Sequence, residues 1–495
     1  MTKIRIGILS FLLLVPLYSW LHPVRAFPKD ILRFGVGGLV NAVKPEFVGA
    51  LNAQIVRVEV FWGKVEPERG KYLITEEVLK VIDKTVPNGA DLLLSIQINN
   101  PWGTTGPWTN MEEFLKEYSA NHIYYPPKNY DDFRNFIKVL GDSLKGKVKY
   151  YQLANEPDLI RPENGKRWWA GTAAEFIELV KVTNAALKSA DPNAYLVLGG
   201  FAMGWDSNAN KPSGGNFIRE VVLGSKDYVD AFDVHHYGEY SRLYGKIRYL
   251  RELGKKPVWI TEMGAPSFDR IKNATVGMDP FFDELKENAS LMSPKMMEDS
   301  IMAVIRVTHP DFILLPENRS QLEKIKAEDL TKLYAIAFAE DAAMAFWFQI
   351  MKYKVPVWYN NRPDEMTPRT FDSVYKFRST EFGLIDAGSG ERLPAFYAYR
   401  LLVEKISSFS NIKSLGNENS VVYEFQFPSG DKKYICWSNK GQQSLELKVP
   451  DGEYQATKII TEMGQTDPSI TKLGAQGGKL MLELDSTPII IETTK

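Results

Sequence analysis

Short apolar runs alternate with amphipathic segments from residue 31 to about residue 407. Eight of these runs are rich in apolar and β-branched residues, and several lack a clean polar alternation, which is typical of parallel strands buried on both faces. The predicted strands are Leu32–Val36, Ile55–Phe61, Leu92–Ile98, Val148–Ala154, Tyr195–Gly199, Ala231–His236, Val258–Glu262 and Met344–Ile350.

Helical patterns separate the predicted strands. The clearest covers Thr172–Leu187, where Thr172 and Glu175 form a capping box and Phe176 and Leu179 lie on one apolar stripe. Similar patterns occur at 76–86, 131–144, 241–253, 329–342 and 393–407. Eightfold strand–helix alternation predicts an α/β fold, a (β/α)8 TIM barrel. A doubly wound open sheet is the alternative, but the glycines after the first strand do not fit G-x-G-x-x-G.

The chain divides into a barrel and a smaller domain. The barrel is expected over residues 27–407, with insertions near 99–130 and 265–328 that follow the C-terminal ends of strands, where barrel enzymes carry substrate loops. Within residues 408–495 several short runs alternate apolar and polar positions, as in 423–427. This pattern predicts an antiparallel β-sandwich that packs against the barrel or binds carbohydrate.

Residues 1–26 have the pattern of an export signal peptide. Lys3 and Arg5 precede the apolar run Ile8–Leu21, and Val24-Arg25-Ala26 resembles an A-x-A cleavage site. An uncleaved membrane anchor is the alternative, although the run is short for a bilayer span. We therefore expect a secreted protein, extracellular or periplasmic, with no membrane contact after cleavage.

Composition narrows the possible partners. The 495 residues are 44% apolar and 24% charged, which predicts a packed globular core, and the net charge of −1 argues against nucleic acid as a partner. The single cysteine, Cys436, excludes an intrachain disulfide and lies in a strand-like run, which favours a buried apolar role over a nucleophilic one. The oligomeric state is left open.

Two predicted strands end in a glutamate. Strand four leads into Asn155-Glu156-Pro157, and strand seven ends at Thr261-Glu262. These strands lie nearly opposite each other in a closed eight-stranded barrel, so both carboxylates can face one cavity. Glycoside hydrolysis requires such a pair, because one carboxyl protonates the leaving oxygen and the other attacks the anomeric carbon. Each motif alone is weak, but the pair at strands four and seven is specific.

At these motifs the sequence resembles glycoside hydrolase clan A, whose members are retaining (β/α)8 barrels with Asn-Glu at the end of strand four and a glutamate at the end of strand seven. The resemblance implies that Glu156 is the acid/base, that Glu262 is the nucleophile and that Asn155 binds the sugar 2-hydroxyl. Within the clan, residues 155–159 resemble family 39, the β-xylosidase and iduronidase group, whereas residues 261–264 are closer in style to family 5.

Three further residues are expected at the same site. Arg57 lies in strand two, where a buried arginine would favour ionised Glu262, and a pair with Glu59 is the alternative. His235 and Tyr237 share one face of strand six by the two-residue period and resemble the clan's strand-six positions. Tyr237 is therefore expected to donate a hydrogen bond to Glu262, while the intervening histidine points away.

Tryptophans offer flat apolar faces to sugar rings. Trp347 ends strand eight, where the clan often carries a sugar platform, and Trp62 lies just after strand two. Both are therefore expected to bind substrate.

The predicted function is that of a retaining hydrolase of β-glycosidic bonds in plant- or microbe-derived carbohydrate. No cofactor or metal is expected, because no histidine pair has helical metal-ligand spacing, although the adjacent His235 and His236 keep a metal-dependent barrel hydrolase as an alternative. A non-catalytic carbohydrate-binding protein is the second alternative. The sugar, the linkage and exo or endo attack stay open.

Overall fold

The computed structural model describes residues 32–38, 44–86, 89–110, 112–114, 123–160, 167–206, 211–212, 216–238, 240–264, 316–352, 382–386 and 388–494. The predicted export signal and most of the second predicted insertion lie outside these ranges. Within the described residues, no helix combines the length and the apolar character needed to cross a membrane.

Eight parallel strands close into a barrel, which confirms the predicted fold. They are β1 Phe34–Gly37, β2 Ile55–Phe61, β3 Asp91–Gln97, β4 Tyr150–Leu153, β5 Tyr195–Phe201, β6 Ala231–Tyr237, β7 Val258–Gly264 and β8 Ala342–Phe348. Their order around the barrel follows the chain, and β1 pairs with both β2 and β8. All eight predicted strands are present, with shifts of only a residue or two at their ends.

The helices of the barrel are α1 Pro45–Leu51, α2 Trp62–Val65, α3 Lys80–Thr85 preceded by a π-helical turn at Thr75–Leu79, α4 Tyr130–Leu144, α5 Ala173–Ala190, α6 Phe217–Ser225, α7 Tyr240–Gly254, α8 Pro316–Ala339 and α9 Pro394–Ile406. All six predicted helical segments are present, and the barrel has three further helices, α1, α2 and α6, that were not predicted. Thr172 caps α5 with the expected capping box. Helix α8 begins at Pro316, so the second insertion ends earlier than the predicted residue 328.

The barrel interior is apolar toward one end and polar toward the other. Toward the C-terminal end of the strands, inward positions of β2, β3 and β6 hold Arg57, Ser95 and Asp233, none more than 3% exposed. Buried polar groups need partners inside the protein, so this C-terminal end must contain a connected polar network. The apolar layer consists of Ile55, Leu93, Val197, Ala231, Trp259, Met344 and Phe346.

The C-terminal domain is the predicted antiparallel sandwich. Its strands are β9 Asn411–Ser414, β10 Ser420–Gln426, β11 Lys432–Ser438, β12 Gln443–Lys448, β13 Gly452–Lys458, β14 Ser469–Ala475, β15 Lys479–Leu484 and β16 Ile489–Thr493. Six form one sheet in the order β9-β10-β11-β16-β13-β14, and β12 pairs with β15. Cys436 is buried between the sheets, and burial raises the pKa of its thiol, which fits the expected apolar role.

The larger sheet packs its other face against the barrel. Phe425 of β10 contacts Phe409 with ring centroids 5.1 Å apart, and Phe409 contacts Phe338 of α8 at 5.4 Å. Nearby, the Thr487 hydroxyl donates a 2.7 Å hydrogen bond to Glu328 of α8. Apolar side chains of both domains belong to one continuous core. The sandwich therefore packs firmly against the barrel and stabilises it.

We expect Phe425→Ala to lower the free energy of unfolding by about 3–5 kcal/mol, because it empties a fully buried aromatic position in the joint core. Denaturant unfolding followed by far-UV circular dichroism and by tryptophan fluorescence measures the loss. The matched control is Ile470→Ala, at a position that is 57% exposed on β14, which should change stability by less than about 0.5 kcal/mol. Equal effects of the two variants would contradict a joint core.

Candidate active site

Glu156 reaches the cavity from a sharply turned backbone at the end of β4. Ala154 and Glu156 have positive φ angles of 63° and 47°, a region that side-chain-bearing residues rarely adopt. The turn is held by a 3.1 Å hydrogen bond from the Glu156 N–H to the Gly200 carbonyl. A Cβ atom on Gly200, itself at φ 47°, would lie 2.7 Å from Nε2 of His235. Only glycine therefore fits between β4 and β6 at this point.

Glu262 faces the cavity because β7 contains an extra residue. Val234 of β6 pairs with Ile260, but the next residue, His235, pairs with Glu262 and skips Thr261. Such a bulge interrupts the strict alternation of side chains and is common beside active sites. As a result Thr261 and Glu262, although consecutive, both contribute side chains to the same polar network.

The two glutamates converge on one point, as the sequence predicted. One oxygen of each carboxyl group and Nδ1 of His235 all lie within 4.8 Å of one another. His235 Nδ1 is 2.9 Å from Glu156 Oε1 and 3.4 Å from Glu262 Oε2. This spacing is close to the about 5–5.5 Å typical of retaining glycosidases and below the about 6.5–9.5 Å of inverting ones.

Arg57 is the cation at the centre of the site. Its Nη1 donates to Glu262 Oε1 at 2.7 Å, its Nη2 to Asn155 Oδ1 at 2.6 Å and its Nε to Gln152 Oε1 at 2.7 Å. Burial alone would lower the pKa of Arg57, but the surrounding carboxylates, Glu262 first, raise it above its usual value. The expected pair with Glu262 is present, and Glu59 is a more distant neighbour at 3.7 Å.

Tyr237 holds the other oxygen of Glu262. Its hydroxyl donates a 2.7 Å hydrogen bond to Glu262 Oε2, as the sequence predicted. Burial and the nearby Glu262 raise the pKa of Tyr237 well above its usual value, so the phenol keeps its proton. Both oxygens of Glu262 therefore accept hydrogen bonds from donors. His236 points away from the site, as expected, with Nε2 3.2 Å from the Gly238 carbonyl oxygen.

His235 is neutral, and its hydrogen bonds define its tautomer. Burial lowers the pKa of His235 to about 3. The Thr261 hydroxyl donates to Asp233 at 2.6 Å, so the Thr261 oxygen is left to accept from Nε2 of His235 at 3.2 Å. With the ring proton on Nε2, Nδ1 is an acceptor. It can therefore accept a hydrogen bond from a protonated Glu156.

Glu156 is held in surroundings that favour its protonated form. Burial raises the pKa of Glu156 to about 7, although the charges of Arg57 and Lys246 pull it down. A carboxyl group with a pKa near neutrality can both donate and accept a proton during a catalytic cycle. Glu156 therefore has the proton affinity of an acid/base, while Glu262 has the hydrogen-bond donors that suit a carboxylate.

Lys246 is a functional candidate that the sequence analysis missed. Its Nζ reaches in from α7 and donates to the main-chain oxygens of His235 at 2.9 Å and Ala202 at 2.8 Å. Burial lowers its pKa to about 8, against the opposing effect of Asp158 and then Glu156. A lysine buried at this depth fixes the end of β6 and brings a positive charge close to Glu156.

The sequence analysis also missed Gln152, Thr261 and Asp233. Gln152 donates from its amide nitrogen to Asp233 and, at 2.9 Å, to Thr261, while it accepts from Arg57. Each is fully buried within a strand of the barrel. A polar residue at such a position was the available signal, since it must have a partner across the barrel.

Trp347 is not a sugar platform, and this prediction was wrong. The side chain is fully buried in the core outside the barrel strands, and its indole N–H donates to the Phe382 carbonyl at 2.8 Å. The partly exposed residue at the end of β8 is Phe348, whose ring lies 6.3 Å from that of Tyr237. Because side chains alternate along a strand, an error of one residue assigns the opposite face.

Trp62 is not a sugar platform either. It is fully buried at the start of α2, with its ring stacked 5.7 Å from that of Phe136 and edge-on to Phe133 at 5.1 Å. Its indole N–H donates to Glu66 at 2.7 Å. These contacts give Trp62 a role in packing the barrel against α4.

Glu156, His235 and Glu262 also form a group with the geometry of possible metal ligands. Both Glu262 oxygens, however, already accept hydrogen bonds from Arg57 and Tyr237. A cation among these three residues would also meet the Arg57 guanidinium, which lies 2.7 Å from Glu262. The donor set therefore fits an acid and a carboxylate better than it fits a metal ion.

The barrel and its two facing carboxyl groups are those of a glycoside hydrolase, and the comparison of the sequence with known families agrees. The family model for cellulase, glycosyl hydrolase family 5, matches residues 45–292, half of the chain. The protein therefore belongs to glycosyl hydrolase family 5. Comparison with curated proteins gave no match.

Solved structures of related families share the fold along nearly the whole chain. A family 39 glycoside hydrolase from Bacteroides cellulosilyticus WH2 aligns with a TM-score of 0.58 at 16% identity, over 94% of this chain and 81% of that one. A family 30 endoxylanase from Clostridium papyrosolvens C71 aligns at 0.53 and 11%, over 95% and 98%. A family 51 α-L-arabinofuranosidase from Bifidobacterium longum aligns at 0.52 and 12%, over 96% and 98%. Together they confirm the predicted barrel and sandwich fold, and the family 5 match agrees with the predicted resemblance to clan A.

The two neighbouring aromatics of β8 should respond differently to truncation. We expect Trp347→Ala to lower the free energy of unfolding by about 3–5 kcal/mol, because it empties a core site. Phe348→Ala should cost less stability and should mainly raise KM for a glycoside substrate, because it removes a partly exposed face beside Tyr237. Denaturant unfolding and steady-state kinetics of both variants test this. A raised KM in Trp347→Ala with unchanged stability would instead support Trp347 as the side chain on which the sugar stacks.

Proposed function

We propose that the protein is a retaining glycoside hydrolase that cleaves β-glycosidic bonds of plant- or microbe-derived carbohydrate, with Glu156 as the acid/base and Glu262 as the nucleophile. The observation that carries this proposal is the approach of the two carboxyl groups to within 4.8 Å in different surroundings. One faces a neutral histidine acceptor and has a pKa of about 7, and the other faces an arginine and a tyrosine donor.

In the first step a Glu262 oxygen forms a bond to the anomeric carbon as the bond to the leaving oxygen breaks. The proton of Glu156 passes to that leaving oxygen, so the aglycone departs as a neutral alcohol. The product is a glycosyl ester of Glu262, and Glu156 is left ionised. Arg57 and Lys246, whose charges favour ionised Glu156, stabilise this state.

In the second step the ionised Glu156 takes a proton from a water molecule, whose oxygen attacks the anomeric carbon. The ester bond breaks, Glu262 leaves as a carboxylate and Glu156 regains its proton. Each step inverts the anomeric centre, so the product keeps the β configuration. Asn155, oriented by its 2.6 Å bond to Arg57, is the proposed partner of the sugar 2-hydroxyl.

The proposed substrate is an oligo- or polysaccharide. The structural relatives include an endoxylanase and an α-L-arabinofuranosidase, and the family model is that of cellulase, all of which act on carbohydrate. A screen of aryl β-glycosides and polysaccharides, with the anomeric product followed by NMR, identifies the sugar and the stereochemical course. We also propose that the protein is secreted, since its first 26 residues have the composition of an export signal.

We expect Glu262→Ala to lower kcat for an aryl β-glycoside by at least about 10⁴-fold, because no covalent intermediate can form. Azide should restore part of the activity by attacking from the vacated side, which gives the α-glycosyl azide. Glu156→Ala should retain the first step on substrates with good leaving groups, and azide should then give the β-glycosyl azide. NMR of the two products distinguishes the roles of the two residues.

The control for a metal mechanism is chelator-treated wild-type enzyme. Activity that disappears with chelator and returns with zinc would favour the metal-dependent alternative, for which the group at Glu156, His235 and Glu262 supplies the candidate ligands. Hydrolysis by Glu262→Ala at the wild-type rate would refute the proposed nucleophile.

The pH dependence should follow the protonation of Glu156. Because the acid must carry its proton in the free enzyme, kcat/KM should fall as the pH rises through the Glu156 pKa of about 7. Lys246→Met removes a charge that lowers this pKa, so the alkaline limb should move to higher pH. Lys246→Arg keeps the charge and is the matched control. A Lys246→Met profile that falls in height without moving along the pH axis would show that the lysine acts through structure alone.

A further inference from the structure

A third carboxyl group lies beside the two glutamates of the mechanism. Glu59 follows Arg57 by two residues on β2, so both side chains point into the barrel. Its side chain is 23% exposed, compared with 11% for Glu262 and 15% for Glu156. Glu59 is therefore the most accessible of the three carboxyl groups, and the mechanism proposed above gives it no role.

Glu59 is held in a defined position by a short relay of hydrogen bonds. The Gln97 amide nitrogen donates to Glu59 Oε1 at 3.2 Å and to the Ser95 hydroxyl at 3.2 Å. The Gln97 amide oxygen in turn accepts a 2.8 Å hydrogen bond from the Tyr124 hydroxyl. Because the Glu59 oxygen can only be approached favourably by the donor end of the amide, Gln97 presents its nitrogen to Glu59, and the carboxyl group is oriented before any ligand binds.

Glu59 lacks the close contacts expected of a residue whose role is to form a structural ion pair. Arg57 Nη2 lies 3.7 Å from Glu59 Oε1, longer than a hydrogen bond, and the same nitrogen already donates to Asn155 at 2.6 Å. Among the described residues, the hydrogen bond and the ion pair of Glu59 both involve Oε1, so neither uses Oε2. Burial raises the pKa of Glu59, and Glu262 and Glu156 add to this effect. A partly buried carboxyl group with a raised pKa and few contacts of its own indicates that Glu59 binds a ligand.

We infer that Glu59 is a specificity-determining residue, whose second oxygen accepts a hydrogen bond from a hydroxyl group of a neutral sugar in the subsite where the covalent intermediate forms. This inference rests on the proposed function and names the substrate class of the same site. Sugar hydroxyls are donors at neutral pH, and the ionised form of Glu59 makes stronger hydrogen bonds with them than an amide does. Gln97 orients the carboxyl group of Glu59, and Glu59 makes the contact with the sugar hydroxyl.

The same arrangement selects against acidic sugars. Glu59, Glu156 and Glu262 bring three carboxyl groups together, and Arg57, which lies 3.7 Å from Glu59 and 2.7 Å from Glu262, already donates hydrogen bonds to Glu262 and Asn155. A uronic acid would bring a further carboxylate into this group, and like charges at short range repel. The enzyme should therefore prefer a neutral glycoside over the corresponding uronide.

The test is a double-mutant cycle between enzyme and substrate. The aryl β-glycoside that the wild-type enzyme hydrolyses best is compared with analogues in which one ring hydroxyl at a time is replaced by hydrogen. For one of these positions we expect kcat/KM of the wild type to fall by about 10- to 150-fold, and in Glu59→Gln to fall by less than about 10-fold. The other positions should show the same losses in both enzymes.

Glu66→Gln is the matched control, because Glu66 is a buried carboxylate that contacts Trp62 outside the cavity. It should lower stability without changing the pattern of losses across the analogues. The ratio of kcat/KM for the neutral glycoside to kcat/KM for the uronide should also be smaller in Glu59→Gln than in the wild type.

Three results would overturn the inference. Equal losses for every analogue in Glu59→Gln and wild type would show that Glu59 contacts no ring hydroxyl. A wild-type preference for an amino-sugar glycoside that Glu59→Gln abolishes would assign the contact to an ammonium group. A uronide preference would remove the charge argument. Failure of the wild-type enzyme to hydrolyse any aryl glycoside would instead count against the proposed function.

Discussion

One buried guanidinium determines how the site is assembled. Arg57 on β2 is bonded to Gln152 and Asn155 from the end of β4 and to Glu262 on β7, so a single side chain ties three parts of the barrel together. A buried charge is costly unless its donors are satisfied. Two of the residues that satisfy it, Asn155 and Glu262, belong to the candidate active site. The geometry of the site is thus a condition of burying Arg57 as well as a requirement of the chemistry.

The two glutamates differ in their surroundings and not in residue type. Glu262 receives hydrogen bonds from Arg57 and Tyr237, while Glu156 faces the acceptor nitrogen of a neutral His235. Two identical side chains within 4.8 Å are thereby placed in different hydrogen-bonding surroundings. The fold creates this difference by burying the histidine so deeply that it cannot carry a charge.

The sequence predicted the barrel and the two glutamates because both leave a clear pattern. Eight short apolar runs separated by helical segments have few other solutions, and a glutamate at a strand end is visible without coordinates. The sequence did not show which residues of β8 point into the barrel. Ala342–Phe348 is apolar throughout, so no alternation indicates whether Trp347 or Phe348 points inward. The hydrogen bonds of Gln152 and Thr261 were missed because their partners lie on other strands, which the sequence alone does not pair.

The extra residue in β7 has a consequence for transfer of this chemistry to other proteins. In a regular strand two consecutive side chains emerge on opposite surfaces, so Thr261 and Glu262 can serve the same network only because the ladder is interrupted between them. Grafting the cavity-lining side chains alone onto an ideal eight-stranded scaffold would turn one of the two toward the surrounding helices. A designer would have to copy the irregular backbone first and choose the side chains afterwards.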